Sequence, residues 1–73
     1  MKARVIVSLK RTVLDPQGQA IRNALAGLGH TGISDVRQGK VFEMEVEPGS
    51  DLETVAREVL TNPVIEDYRI EYL

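Results

Sequence analysis

Val13-Leu14-Asp15-Pro16-Gln17-Gly18 decides how the chain is read. An alternating apolar stretch runs into this segment and an amphipathic stretch runs out of it. Asp15 before Pro16 reads as a helix start. Proline presets φ for the first helical position and loses nothing there by lacking an N–H. The Asp15 carboxylate can accept from the free N–H groups of the first turn, and its charge suits the positive end of the helix dipole. Leu14, just ahead of the cap, is placed to fold back on the first turn as an apolar staple. Gly18 is the odd residue, since glycine inside a helix costs roughly 1 kcal/mol against alanine. It is either tolerated near a fraying end or required by a neighbouring backbone or partner chain.

Upstream, residues 3–9 alternate. Ala3, Val5, Val7 and Leu9 share one face, with Arg4, Ile6 and Ser8 on the other, which predicts a half-buried strand. Downstream, the helix is expected over residues 16–28, with Ala20, Ile21, Ala24, Leu25 and Leu28 as its apolar stripe. Gly29 is placed as a left-handed cap at its end. Residues 33–47 are extended and admit two readings. Gln38-Gly39 can turn a hairpin, giving a ferredoxin-like βαββαβ order. Alternatively, Gly39 marks a bend in one long strand. A hairpin sets Asp35 opposite Phe42 on the core side, so facing favours the single bent strand. A strand of that length overhangs a small sheet, and the overhang is free to pair with another subunit. Ser50 and Glu53 are spaced as a capping box, and Leu52, Val55, Ala56, Val59 and Leu60 form a second stripe. Asn62-Pro63 stops that helix. Tyr68, Ile70 and Tyr72 then alternate with Arg69, Glu71 and Leu73 in a last strand. The expected fold is α+β: a two-layer sandwich with a small antiparallel sheet and two helices on one face, in the order β-α-β-α-β. The other face is left with Ile6 and Val41 among charges, open to water or to a partner.

The chain has 73 residues, no cysteine and one histidine. That is room for a single domain, 1–73, whose core supplies no more than about 3–5 kcal/mol without outside support. Disulfides, thiolate metal sites and a cysteine nucleophile are excluded, so association with other subunits is the expected support. Nothing approaches the ~20 apolar residues of a membrane span, and the start of the chain is unlike a signal peptide. Net charge is −2, which argues against nucleic acid as a partner. The charge is uneven: Lys2, Arg4, Lys10, Arg11 and Arg22 make the first third basic, and the later part is acidic. Such polarity suits protein–protein contact or simply two solvated faces.

No catalytic constellation is present. His30 stands among glycines without a nucleophile beside it. Glu43, Glu45 and Glu47 line one strand face with no apolar pocket to raise a pKa. Gly27, Gly29 and Gly32 follow a helix and precede a strand, the reverse of a nucleotide-binding turn. Arg37 and Lys40 flank the Gln38-Gly39 pair and suit either an anion or solvent.

Three motifs nevertheless stand out in order along the chain. They are Leu9-Lys10 with Val13-Leu14-Asp15-Pro16-Gln17-Gly18 and Ala20, then Asp35-Val36-Arg37 with Gly39-Lys40, then Asn62-Pro63-Val64-Ile65-Glu66-Asp67-Tyr68. Together they resemble the PurS family, the small subunit of multi-subunit phosphoribosylformylglycinamidine synthase. The stretch 51–61 is shorter than the family pattern. The resemblance implies a cytoplasmic, non-catalytic homodimer, or a dimer of dimers. It implies a synthetase subunit (PurL-like) and a glutaminase subunit (PurQ-like) as partners, joined so that ammonia passes between them in purine synthesis. ATP and magnesium would be used by the synthetase, and no cofactor by this chain. Asp15, Pro16, Gln17, Gly18, Arg37, Gly39, Lys40, Asn62, Pro63, Glu66 and Asp67 are then the expected dimer or partner contacts. The competing reading is a stand-alone ACT-like dimer that senses an amino acid.

Overall fold

The alternation of residues 3–9 sets the architecture. In the computed structural model, which describes residues 1–73, it becomes the central strand β1 (Lys2–Leu9). Then follow α1 (Pro16–Gly27), β2 (Gly39–Glu45), α2 (Leu52–Val55) running on as a π-helical turn (Ala56–Leu60), and β3 (Glu66–Tyr72). The sheet order is β2-β1-β3, antiparallel throughout. This is the expected α+β class and element order.

Register shows why the two faces differ. Val5 lies between Phe42 and Ile70, and Ala3 lies between Met44 and Tyr72. On that face Ala3, Val5 and Val7 are fully buried, and Leu52, Ala56 and Val46 close over them. Tyr68 Oη donates to Glu53 Oε2 at 2.6 Å and ties β3 to α2. On the opposite face Arg4 sits between Glu43 and Glu71, at 3.9 and 3.7 Å. Ile6 and Val41 are paired there, with Val41 exposed. That face is bare and charged, as the alternation predicts.

The first helix is where packing departs from expectation. Gly18 is its only buried residue. Ile21 and Leu28 of the apolar stripe are 41% and 76% exposed. The helix leaves the sheet after its first turn, and only α2 and the π turn cover the core. The molecule is accordingly drawn out to 49 × 25 × 13 Å. Its radius of gyration is 15.5 Å, against roughly 11 Å for a compact chain of this length.

Three local expectations are corrected. Leu14 is 77% exposed and does not staple the helix. The cap of α2 is Asp51 rather than Ser50; its carboxylate accepts from the Thr54 N–H at 3.2 Å and from the Thr54 hydroxyl. No hairpin forms at Gln38-Gly39, and of residues 33–47 only Gly39–Glu45 pair as strand. A Cβ on Gly39 would lie 2.5 Å from the Val7 carbonyl oxygen, so only glycine brings the chain onto the sheet there. Residues 33–38 run without a strand partner.

Candidate functional site: a clasp at one end of the sheet

Asp15 and Pro16 start α1 as their chemistry requires. Asp15 Oδ1 accepts from the Gly18 N–H at 2.9 Å, and Pro16 occupies the first turn. The helix ends as cleanly. Gly29 has φ +95 and donates to Ala26, while the His30 N–H reaches back to the Leu25 carbonyl. That pair of bonds is a Schellman motif.

The second Asp15 oxygen does something local sequence does not show. Oδ2 accepts from the Gln38 N–H at 2.7 Å. Gly18 closes the same junction from the helix side: a Cβ there would meet the Val36 carbonyl oxygen at 2.1 Å. Close approach, not tolerance, is therefore the reason for Gly18. From the other side Arg37 Nη2 donates to the Lys10 and Val13 carbonyls, both at 2.9 Å. One carboxylate, one glycine and one guanidinium thus clasp residues 36–38 to the start of α1. The Asp15 carboxyl is held below its usual 3.8, first by the Gln38 N–H and then by the Gly18 N–H.

The turn after the π segment joins the same end. The Lys10 N–H donates to the Ile65 carbonyl at 2.8 Å. Lys10 Nζ meets Asp67 at 2.6 Å, and Lys40 meets Glu66 at 3.5 Å. Asn62 shapes the turn, its Oδ1 accepting from the Val64 N–H at 3.1 Å, while Glu66 Oε1 accepts from the Asn62 N–H at 2.8 Å. Pro63 lies between them. The residues expected as contacts therefore meet at one end of the molecule, although they come from three separated motifs. A cleft of about 280 Å³ opens there between Asp15, Gln17, Gln38, Lys40 and Glu66.

Their division of labour is now visible. Asp15, Gly18, Arg37, Gly39, Asn62 and Glu66 hold the backbone. Gln17, Lys40, Pro63 and Asp67 present exposed surface. Arg37 is engaged with two backbone carbonyls, and Lys40 meets the Glu66 carboxylate. Lys10, Gln38 and Val36 complete the clasp and were not among the expected contacts. Lys10 and Val36 lie inside the motifs, but their partners are distant in the chain. No group of His, Asp or Glu is arranged to hold a metal ion.

Fold and clasp define a small open-sheet α+β protein whose polar motif residues organise its own backbone and leave surfaces uncovered. Comparison makes the class specific. The family model described as PurS, phosphoribosylformylglycinamidine (FGAM) synthase, matches residues 2–73. The chain belongs to the PurS family of FGAM synthase. It is 56% identical over 72 residues to the FGAM synthase subunit PurS of Mycobacterium leprae, covering 94% of this chain and 91% of that one. A crystal structure of Bacillus subtilis PurS superposes with TM-score 0.88 at 43% identity, covering 96% of this chain and 94% of that one. A chain of the PurLQS structure from Thermotoga maritima superposes with TM-score 0.87 at 28% identity, covering 99% and 95%.

Proposed function

We propose that this chain is the small, non-catalytic subunit of an FGAM synthase complex. It joins a glutaminase subunit and an ATP-dependent synthetase subunit and assists the passage of ammonia between them in purine synthesis. ATP and magnesium act at the synthetase, and this single-domain chain binds no cofactor of its own. On the family reading its place is the cytoplasm. No helix is long and apolar enough to cross a membrane. The observation that carries the reading is the family match across residues 2–73, reinforced by the near-complete superposition on a chain of PurLQS. The physical need is plain. Ammonia released into bulk water is diluted and protonated, whereas docked active sites keep its effective concentration high.

The working form in this proposal is a homodimer. The exposed stripe of α1 and residues 33–35, which have no strand partner, are each a surface that a second copy can cover. Asp15, Pro16, Gln17, Gly18, Arg37, Gly39, Lys40, Asn62, Pro63, Glu66 and Asp67 contribute in two ways. The clasp members fix the shape of the contact surface, and the exposed members touch the neighbour. The ACT-like amino-acid sensor is not favoured, since Asp15 to Gly18 cap a helix and hold backbone rather than frame a ligand loop.

The test is glutamine-dependent synthesis of FGAM by the synthetase and glutaminase, with and without this chain, beside a control driven by added ammonia. The expected result is dependence on the chain with glutamine and independence with ammonia. Equal rates with and without the chain in both assays would remove the proposal.

A further inference from the structure

Beside the π turn lies a groove of about 410 Å³, bordered by Lys10, Arg57, Thr61, Pro63, Asp67 and Tyr68. That is within the usual size of small-molecule sites, about 300–1,000 Å³. Thr61 is 7% exposed, and its hydroxyl oxygen makes no hydrogen bond. A buried hydroxyl without a partner weakens a fold, so nearly all such groups in native proteins are paired. The cause is local. Thr61 leaves the helix in extended backbone, φ −121 and ψ 138. The usual outlet of a helical threonine, a carbonyl one turn back, is thereby lost. Oγ1 is closed off from solvent. A χ1 step of about 120° between staggered wells re-aims it, and no hydrogen bond holds it back.

The ionised groups of the groove are paired, with one exception. Asp67 holds Lys10 at 2.6 Å. Glu66, on the same wall, is met by Lys40 at 3.5 Å and by the Asn62 N–H at 2.8 Å. The Tyr68 hydroxyl is spent on Glu53. Arg57 forms no ion pair. Asp51 is near enough to feel its charge but is taken up by Thr54. One guanidinium and one hydroxyl are left over, both of them donors, on the border of one groove. We propose that this groove binds a small organic monocarboxylate. Arg57 donates to both carboxylate oxygens, and the Thr61 hydroxyl donates to one of them. The planar fork of a guanidinium matches a carboxylate, and one spare positive charge matches one negative charge. A phosphate dianion fits less well, because Glu66 and Asp67 stand on the same wall and repel a second charge. Pro63 and Tyr68 supply an apolar border for a short carbon chain. The site is formed within a single chain and does not depend on the subunits that the chain joins.

The experiment titrates the full chain with propionate at constant ionic strength and follows it by proton–nitrogen NMR. It compares the unaltered protein with Arg57→Gln, Thr61→Val and Thr61→Ser. Saturable shifts at the Arg57 side-chain N–H and the Thr61 amide are expected, with Kd on the order of 1 mM for so small a ligand. Arg57→Gln and Thr61→Val are each expected to bind about ten-fold more weakly, as loss of a hydrogen bond to a charged group does. Thr61→Ser keeps the hydroxyl and is expected to stay within about two-fold of the unaltered protein. Without propionate, Thr61→Val is expected to melt no lower than the unaltered protein, because it removes a hydroxyl that has no partner. A lower melt would show that water already satisfies the hydroxyl, and would overturn the site. Shifts that grow without saturating, or that inorganic phosphate reproduces, would reduce the effect to general ion pairing and overturn it too. So would variants that bind propionate as tightly as the unaltered protein. Each of these failures leaves the subunit reading standing, since that reading is judged by the glutamine and ammonia assays.

Discussion

At the scale of single residues, Gly18 and Asp15 carry the most specific expectations. In an ordinary helix, Gly18→Ala would stabilise by roughly 1 kcal/mol. Here the added methyl meets the Val36 carbonyl oxygen, a backbone atom that cannot swing away. The substitution is expected to destabilise by about 1–3 kcal/mol instead, read as a lower urea midpoint with unchanged slope; a raised midpoint would show that the junction relaxes freely. Asp15 predicts a pH dependence. Its folded-state carboxyl lies below 3.8, because the Gln38 N–H and then the Gly18 N–H favour the charged form. Its contribution is therefore fully present above the unfolded value and is lost as pH falls through the lower folded value. Melting the protein and Asp15→Asn side by side is expected to show a stability gap at pH 7 that narrows below about pH 4, whereas a constant gap would mean the charge is irrelevant. The first of these features was half legible. Asp15-Pro16 announces a helix start on local grounds, and Gly29 announces its end. That Asp15 also reaches Gln38, and that Gly18 faces Val36, depends on contacts about 20 residues away that no local pattern encodes.

Secondary-structure elements were legible where one face of alternation or one stripe met a core within the chain. β1 and β3 are such cases, and so is the second helix, whose Leu52 and Ala56 pack on Val5 and Val7. Leu52→Ala is expected to cost about 2–5 kcal/mol. That is comparable to all the stability a core of this size supplies, so the isolated variant should be largely unfolded by circular dichroism at room temperature. A cooperative, near-normal melt would place the core elsewhere. Elements were illegible where periodicity is satisfied outside the chain. The stripe Ala20, Ile21, Ala24, Leu25, Leu28 reads as a core-facing helix in any single sequence, yet α1 leaves its own sheet. Residues 33–38 read as strand, yet only Gly39–Glu45 find a ladder. Amphipathic pattern reports that a face will be covered, not which molecule covers it. The capping box failed for a simpler reason. Ser50 and Asp51 are both good caps one residue apart, and the Asp51 carboxylate accepts from both the N–H and the hydroxyl of Thr54.

The whole molecule is drawn out, with an apolar helix face and an open sheet face that its own core leaves bare. If a second copy covers α1, melting temperature should rise with protein concentration, because association stabilises only the folded chain. Ile21→Glu with Leu28→Glu should abolish that dependence and halve the mass in sedimentation, while β1, β2 and β3 persist by circular dichroism. An unchanged mass would move the dimer surface to the bare sheet face. The anchoring of α1 also bears on distances far from its root. Its tightest ties are at its first turn, where Asp15 accepts from the Gln38 N–H and Gly18 lies against the Val36 carbonyl, while Arg22 and Leu25 further along are only half-buried. A helix of 12 residues is about 18 Å long. A tilt of about 10° at the pivot therefore carries its free end by about 3 Å, at the 1.5 Å rise per residue of an α-helix. Leu28 and Gly29 ride on that end. The spacing between whatever rests on the sheet and whatever rests on the helix tip is thus geared to a handful of atoms around one carboxylate, like a boom whose reach is trimmed at its foot.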